Sequence, residues 1–262
     1  MATLTEITQK VKKRNNQLDG ISDALVLDLE EYQREYEIYL RRKRFDLDTK
    51  GNLRRTGKNF STISVMNPFQ KLGYNKLSIS YIGQYNGVVT DQILFNKRLG
   101  LKFGLDFKDV TILKHLKNVD LGDMLLRGHQ LDAVIKRELV NAIALEAPYQ
   151  STVDNLATSL LGAGEKMGNV VRYADTTMRT SLYGLTRTVD KQVYDSIGED
   201  EYIYVGALDR RTRPFCASRI GKEFTTEQIN KFGSQNGSGL DGFFSPGGYN
   251  CRHSLIGTSA FQ

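Results

Sequence analysis

Tyr202-Ile203-Tyr204-Val205-Gly206-Ala207 decides the fold, because it breaks a long helical pattern with an alternation of period two. Period two is typical of a β-strand. A second short strand is predicted at Lys222-Glu223-Phe224, and a last one from Cys251 to Ile256. Thr225 or Thr226 can cap a brief helix after the second strand. Helices first and a small antiparallel sheet last predict an α+β fold.

The helix before this strand gives the strongest pattern in the chain, from Asn169 to Ile197. Its apolar residues follow one another at steps of three or four and form one face: Val171, Ala174, Met178, Leu182, Leu185, Val189, Val193 and Ile197. Gly198 is a suitable C-terminal cap. Asp175 and Arg179 are four residues apart, as in an ion pair on the helix flank.

The upstream part is predicted to be mainly helical. Ser22 is a candidate N-cap for a helix whose stripe consists of Leu25, Leu29, Tyr32, Tyr36 and Tyr39. This tyrosine stripe packs either on its own protein or on a partner. Residues 60–86 are predicted to be irregular, with a β-like run from Leu77 to Ile82, and several helices follow up to Leu161.

The glycine-rich segments have no phosphate-binding pattern. Residues 162–168 lack the spacing of a dinucleotide fingerprint and follow a helix, so we expect a connector between helices. Residues 233–248 contain six glycines and are predicted to form a flexible surface excursion. We expect three consecutive segments: an N-terminal helical arm with the basic segment (1–60), a helical domain (61–165) and a C-terminal α+β module (166–262).

One short stretch carries the whole charge imbalance. The chain has 262 residues and a net charge of +6, and residues 41–58 hold eight basic and two acidic residues, which leaves 28 of each elsewhere. The eight are Arg41, Arg42, Lys43, Arg44, Lys50, Arg54, Arg55 and Lys58. They form either a solvated loop or a contact for DNA phosphates or an acidic partner surface. Aromatic residues for base stacking are nearly absent from the stretch.

Two features of the sequence indicate the compartment in which we expect the protein. No run approaches the roughly 18 apolar residues that span a bilayer, so no membrane partner is predicted. Two cysteines in a chain of this length do not form a disulfide framework. We expect a soluble protein kept in a reducing cytoplasm or assembled there.

The polar residues at the strand ends predict a structural clasp. Asp209 stands where the first strand turns, and its carboxylate can accept backbone N–H bonds there. Arg252 can donate two bonds to that carboxylate or bind the helix flank. We expect Asp209, Thr212 and Arg252 to join the first and last strands, and we group Arg179 of the long helix with them.

Cys216, Cys251 and His253 are a candidate metal or thiol set. Cys251 and His253 project to one face of a strand, and Arg252 to the other. The three can be zinc ligands, but no fourth ligand is evident and neither cysteine has a C-x-x-C partner. Two buried thiols beside a surface histidine are the favoured interpretation, with a disulfide under oxidising conditions as a further one. We predict no cofactor.

The order of motifs resembles the Mu-F-like family of phage head morphogenesis (minor head) proteins over residues 165–258. The motifs are Thr177-x-Arg179-Thr180, Asp209-x-x-Thr212-Arg213-Pro214-x-Cys216, Gly221-Lys222-x-Phe224 and Pro246-x-x-x-Asn250-Cys251-Arg252-His253. The family often has cysteine where Arg213 and His253 stand, and histidine where Gly248 stands. If relatives bind a metal through these positions, this chain therefore has fewer of the ligand residues.

The resemblance implies a structural role. Proteins of this family are minor virion components that associate with the portal protein during procapsid assembly, and some contact DNA. This chain is accordingly expected in the phage head at the portal vertex, and in the host cytoplasm during assembly. Its partners would be the portal, the major capsid or scaffold protein, and packaged DNA, with the N-terminal helices as the gripping part.

Two other functions stay open. The first is an enzyme that acts on nucleic acid or a nucleotide, with His253, Arg252, Asp209 and Arg179 as candidate residues. Against it, the sequence offers no second histidine or glutamate in register for acid–base work, and we expect no enzyme. The second is a plain DNA-binding module, whose affinity would fall steeply with salt.

Overall fold

The computed structural model describes residues 2–104, 111–163 and 166–261, and it confirms the α+β class. In chain order the helices are α1 (Leu4–Arg41), α2 (Gly57–Ser64), α3 (Pro68–Lys71), α4 (Tyr74–Gly83), α5 (Tyr85–Arg98), α6 (Thr111–Ala144), α7 (Tyr149–Leu161), α8 (Asn169–Ser196), α9 (Pro214–Ala217), α10 (Thr226–Asn230) and α11 (Phe232–Gln235). A 3-10 helix (Thr258–Phe261) follows the last strand. Long helices therefore precede the short elements that surround the C-terminal strands.

The strands form two antiparallel sheets. They are β1 (Gly162–Ala163), β2 (Lys166–Met167), β3 (Glu201–Val205), β4 (Glu223–Thr225) and β5 (Ser254–Gly257). β1 pairs with β2 in the predicted connector between α7 and α8, whose residues 164 and 165 lie outside the described residues. The other sheet has the order β4-β3-β5, so the predicted first and last strands are neighbours. In it, Tyr202 lies opposite Phe224, and Tyr204 opposite Leu255.

The chain divides into two compact units made of separated segments. Unit 1 comprises Met1–Asp23, Gly83–Asn118 and Thr176–Gln262, and unit 2 comprises Ala24–Ile82 and Val119–Asp175. The sequence patterns predict three consecutive segments instead. A boundary that falls inside a continuous helix, as in α1, α6 and α8, has no linker composition to mark it.

Unit 1 is built around a core that encloses β3. Tyr202, Tyr204 and Val205 are fully buried, and Ile7 of α1 reaches the same core. The ring of Tyr202 meets that of Phe243 edge-on, with 5.1 Å between centroids. Buried aromatic rings supply large apolar area, which compensates for the absence of tryptophan in this chain.

The start of α1 differs from the prediction. The Thr3 N–H donates to Glu6 Oε2 at 2.8 Å, and the Glu6 N–H donates to Thr3 Oγ1 at 3.2 Å. This reciprocal capping box begins the helix. The predicted N-cap at Ser22 is wrong, because Ser22 is buried inside α1. Polar residues between Ile7 and Leu18 make the apolar face of the first turns of α1 difficult to recognise in the sequence.

Unit 2 has a core of aromatic rings. Tyr32 and Tyr36 of α1 each lie 5.4 Å from the Phe69 ring, and Phe69 meets Tyr74 edge-on at 5.3 Å. Gly128 of α6 leaves room for this cluster, because a Cβ there would lie 2.9 Å from the Tyr74 ring. The buried part of the tyrosine stripe therefore packs on its own protein, one of the two predicted alternatives.

The irregular region predicted for residues 60–86 is wrong, because short helices occupy most of it. The β-like run from Leu77 to Ile82 lies within α4. The buried side chains there include Tyr74, Ser78 and Tyr81, at steps of four and three, which is helical spacing. Gly73 adopts a φ of +91°, so it separates α3 from α4 as a breaker does.

The glycine-rich segment 233–248 is exposed over much of residues 234–241, but the predicted surface excursion is wrong for residues 242–248, most of which are buried. Phe243 and Ser245 are buried. A Cβ on Gly233 would lie 1.8 Å from the Leu240 carbonyl oxygen, and one on Gly242 would lie 1.9 Å from that of Ile229. These glycines permit close approach of backbone to backbone.

Candidate functional site

The candidate site lies where the chain leaves β3 and enters β5. Val205, the last residue of β3, pairs with Ser254, the first residue of β5. Antiparallel pairing therefore places the turn after β3 beside the segment that precedes β5. This brings Asp209 and Arg252 together although they are 43 positions apart.

The clasp consists of Asp209, Thr212 and Arg252. Arg252 Nη2 donates to Asp209 Oδ1 at 2.8 Å and to Oδ2 at 2.9 Å, so one nitrogen serves both oxygens. The Arg211 N–H donates to Asp209 Oδ1 at 2.9 Å, and the Asp209 N–H donates to Thr212 Oγ1 at 2.9 Å. The hydrogen bond from Arg252 is the main cause that lowers the pKa of Asp209 to about 2.

Arg179, which we group with the clasp from the sequence, binds two carboxylates of α1 in unit 1. Its guanidinium donates to the carboxylates of Asp19 and Asp23 on α1. The hydroxyl of Tyr183 donates to the same Asp19 carboxylate at 2.7 Å. These contacts join α8 to α1, and Asp19 lines one cavity with Asp209 and Arg252, so Arg179 binds a carboxylate at the edge of the clasp. No sequence pattern indicates these contacts, because the first residues are predicted to form a separate arm.

Cys216, Cys251 and His253 meet in the core of unit 1. All three are buried, and their ligand atoms lie within 4.8 Å of one another. Cys251 Sγ is 3.8 Å from His253 Nδ1 and 3.7 Å from the Tyr204 hydroxyl. His253 is 3% exposed, so the expected surface position of this histidine is wrong. Tyr204 lies in the predicted strand, but no pattern in the sequence indicates that its hydroxyl approaches the thiols.

The two thiols differ in acidity. Burial by itself raises the pKa of Cys251, but hydrogen bonds from Cys216 and His253 and the charge of Arg187 outweigh it and lower this pKa well below its usual range. The hydrogen bond to Cys251, with burial, raises the pKa of Cys216. Cys251 is therefore the more acidic of the two thiols.

Arg187 of α8 holds the loop that carries these residues. It is 3% exposed, and its Nε donates to the His253 carbonyl oxygen at 2.9 Å. Its Nη1 donates to the Phe244 carbonyl oxygen at 2.7 Å, and its Nη2 donates to that of Cys251. A planar guanidinium can serve three carbonyls at once. The sequence missed this residue because a lone arginine inside a helix has no distinguishing pattern.

A buried polar network joins α1, α5 and α8 next to the site. The Arg14 guanidinium lies 3.5 Å from Asp190 Oδ2, and Asn96 Nδ2 donates to Asp190 Oδ1 at 2.7 Å. Arg14 Nη2 also donates to Ser254 Oγ on β5. Burial raises the pKa of Asp190, whereas the charge of Arg14 lowers it. These residues are far apart in sequence, and no motif indicated their contact.

The basic segment belongs to unit 2 and is folded. Arg41 pairs with Glu37 at 2.7 Å and with Asp154 at 2.6 Å, and Lys58 pairs with Asp46 at 2.7 Å. The Arg55 guanidinium donates to a backbone carbonyl, and the Lys43 ammonium lies over the Tyr39 ring. The remaining four cations of the segment are exposed: Arg42, Arg44, Lys50 and Arg54.

Comparisons with known proteins add no relative. No protein-family model, no curated protein and no solved structure matches this chain. In the described part of the chain, no helix combines the length and the apolar character needed to span a lipid bilayer.

Proposed function

We propose that this chain is a structural minor head protein of a tailed bacteriophage, of the Mu-F-like kind, which acts at the portal vertex during head assembly in the host cytoplasm. One observation supports it most: several residues that carry the resemblance hold the loops and core of unit 1 together. Cys216, Cys251 and His253 are buried, and Asp209 and Arg252 bind each other across two loops. Motif residues used in this way maintain a fold, as a structural module requires.

The same contacts weigh against the nuclease-like alternative. A general base must come within hydrogen-bond reach of a substrate proton. His253 is buried, with Nδ1 beside the Cys251 sulfur and Nε2 at 3.2 Å from the Ala207 carbonyl oxygen. The other candidates, Arg252, Asp209 and Arg179, are engaged by protein groups.

The partner surface we propose lies in unit 2. The first part of α1 packs in unit 1, so it is not a free arm that can grip a portal. Residues 41–58 instead offer exposed cations on a folded segment, anchored by Phe45 and Leu53, which are buried. Such a surface suits an acidic face of the portal, a capsid or scaffold protein, or the phosphates of packaged DNA.

The test is fractionation of assembling particles from cells that produce the phage with a tagged copy of this chain. We expect the tagged chain to sediment with procapsids and to cross-link to the portal. A variant with Arg42, Arg44, Lys50 and Arg54 changed to Glu should lose most of this association.

The matched control reverses four exposed cations of unit 1: Lys12, Lys13, Arg210 and Lys222. It should sediment as the unaltered chain does. Absence of the unaltered chain from procapsids would contradict the proposed function. Equal association of both charge-reversed variants would instead contradict the proposed surface.

A further inference from the structure

The thiol–histidine cluster has the dimensions of a metal site. In a tetrahedral zinc site, Zn–S and Zn–N distances near 2.3 and 2.0 Å place neighbouring ligand atoms about 3.6 Å apart. The measured separation of Cys251 Sγ and His253 Nδ1 is 3.8 Å, and no pair among the three ligand atoms exceeds 4.8 Å. Small side-chain movements therefore suffice to bring Cys216, Cys251 and His253 around one ion.

The orientation of His253 is that of a metal ligand. Its Nε2 lies 3.2 Å from the Ala207 carbonyl oxygen, which can only accept, and its Nδ1 faces the Cys251 sulfur at 3.8 Å. With an ion bound at Nδ1, the Nε2 proton can be donated to that carbonyl oxygen. Ligating histidines commonly donate their other ring N–H to a carbonyl in this way, which fixes tautomer and ring orientation.

The surroundings hold the three residues in place. Arg187 binds the carbonyl oxygens of Cys251 and His253. A Cβ on Gly206 would lie 2.3 Å from the His253 ring, and one on Gly247 would lie 2.4 Å from Cys216 Sγ and 2.8 Å from Cys251 Sγ. Only glycine lets the backbone come this close to the two sulfurs and the ring.

We infer that Cys216, Cys251 and His253 bind one Zn²⁺ ion, or a similar borderline-soft divalent cation, as a structural site inside unit 1. The Tyr204 hydroxyl, 3.7 Å from the Cys251 sulfur, or a water molecule can supply the fourth ligand. Two thiolates and a neutral imidazole are the ligand types that zinc prefers. The inference does not depend on the proposed function.

Such an ion would link two distant parts of the chain. Cys216 lies in α9, and Cys251 and His253 precede β5, with 34 residues between the two cysteines. Joining α9 to the segment before β5 restricts the unfolded chain. An ion that binds only the folded state also raises the free energy of unfolding. The ion would therefore fasten the packed glycine-rich segment to the sheet.

The experiment uses the full chain, purified under reducing conditions with Zn²⁺ present and then dialysed. Native mass spectrometry and elemental analysis should find about one zinc per chain. Replacement by Co²⁺ should give the visible absorption of a tetrahedral thiolate site. Cys216→Ser and His253→Ala should each lower the zinc content at least fivefold, whereas His253→Cys, which keeps three ligands, should retain it.

Two controls separate this site from adventitious binding. His115→Ala and His129→Ala remove the other two histidines, which are exposed, and should leave the zinc content unchanged. Circular dichroism of each variant checks that the fold is kept. Metal-free protein with both thiols reduced would overturn the inference, as would zinc content indifferent to Cys216→Ser and His253→Ala in folded variants.

Discussion

Arg252 donates through a single nitrogen to both carboxylate oxygens of Asp209, at 2.8 and 2.9 Å. The contact joins the turn after β3 to the segment before β5, directly beyond the last strand pair. Both side chains are partly exposed, 28% for Arg252 and 37% for Asp209. Solvent screening therefore limits the free energy that this ion pair contributes to folding. The turn after β3 also depends on the Asp209 carboxylate.

Asp209→Asn should lower the free energy of unfolding by about 1 kcal/mol at pH 7. The folded-state pKa of Asp209 is lowered to about 2, below the ordinary 3.8. Its stabilisation is thus present above about pH 4 and lost as pH falls toward 2. Urea unfolding across this range should show the two proteins converging in acid. A constant difference at every pH would contradict this role of the carboxylate.

Arg187→Met should destabilise the protein by about 3 kcal/mol, because three carbonyl oxygens lose a charged donor in a buried place. Arg187→Lys should also be strongly destabilising, since one ammonium cannot reproduce the planar arrangement. Chemical denaturation measures both. The exposed Arg210→Met is the control, with an expected change within about 0.5 kcal/mol. A lysine variant as stable as the parent would show that the guanidinium geometry is unimportant.

Two helix glycines of unit 1 should respond in opposite directions to alanine. A Cβ on Gly184 of α8 would lie 2.1 Å from the Phe244 ring, whereas one on Gly20 of α1 meets nothing within 4 Å. Gly184→Ala should therefore destabilise by about 1–3 kcal/mol through overpacking. Gly20→Ala should stabilise by up to about 1 kcal/mol through helix propensity. Thermal unfolding compares the two, and equal shifts would contradict the packing of Phe244 on α8.

Replacement of Asp132 in unit 2 should change the free energy of unfolding with a pH dependence opposite to that of Asp209→Asn. It is 5% exposed, and burial raises its pKa from 3.8 to about 6. The folded state then binds the proton more tightly than the unfolded chain, so the ionised carboxylate destabilises above about pH 6 and the effect vanishes below about pH 4. Asp132→Asn should therefore stabilise by about 1–2 kcal/mol at pH 7.5 and by nothing at pH 4.

The exposed Asp123→Asn on the same helix is the matched control and should show no such pH dependence. Denaturant unfolding at both pH values decides the matter. Destabilisation by Asp132→Asn at pH 7.5 would mean that the ionised carboxylate is a favourable group in this core.

Local patterns predicted the three C-terminal strands, although the last one begins at Ser254 and not at Cys251. Tyr202 and Tyr204 alternate as a strand requires, and the predicted cap at Thr225 is confirmed: its N–H donates to Gln228 Oε1 at 2.9 Å, and its Oγ1 accepts from the Gln228 N–H. The position of Asp209 at a strand end predicts both the turn that its carboxylate holds and its guanidinium partner. Such features are readable because neighbouring residues determine them.

Long-range pairing was not readable. Ser22 suggested a helix start, but Ile7 and Val11 bury their side chains in the core around β3 and extend α1 toward the N-terminus. Arg14 and Asp190 meet across α1 and α8, and a single sequence has no signal for a contact between residues so far apart. The sequence predicts a flexible segment at 233–248, because the close backbone contacts of Gly233 and Gly242 are visible only in three dimensions.

The most direct test of the central claim is sedimentation-velocity analysis of the purified full-length chain mixed with the portal protein of the same phage. We expect a discrete complex at near-physiological salt, weakened when Arg42, Arg44, Lys50 and Arg54 are changed to Glu, and no turnover of nucleic acid by the chain alone. A chain that sediments apart from the portal, and that degrades nucleic acid in a manner lost on His253→Ala with the fold kept, would contradict the account.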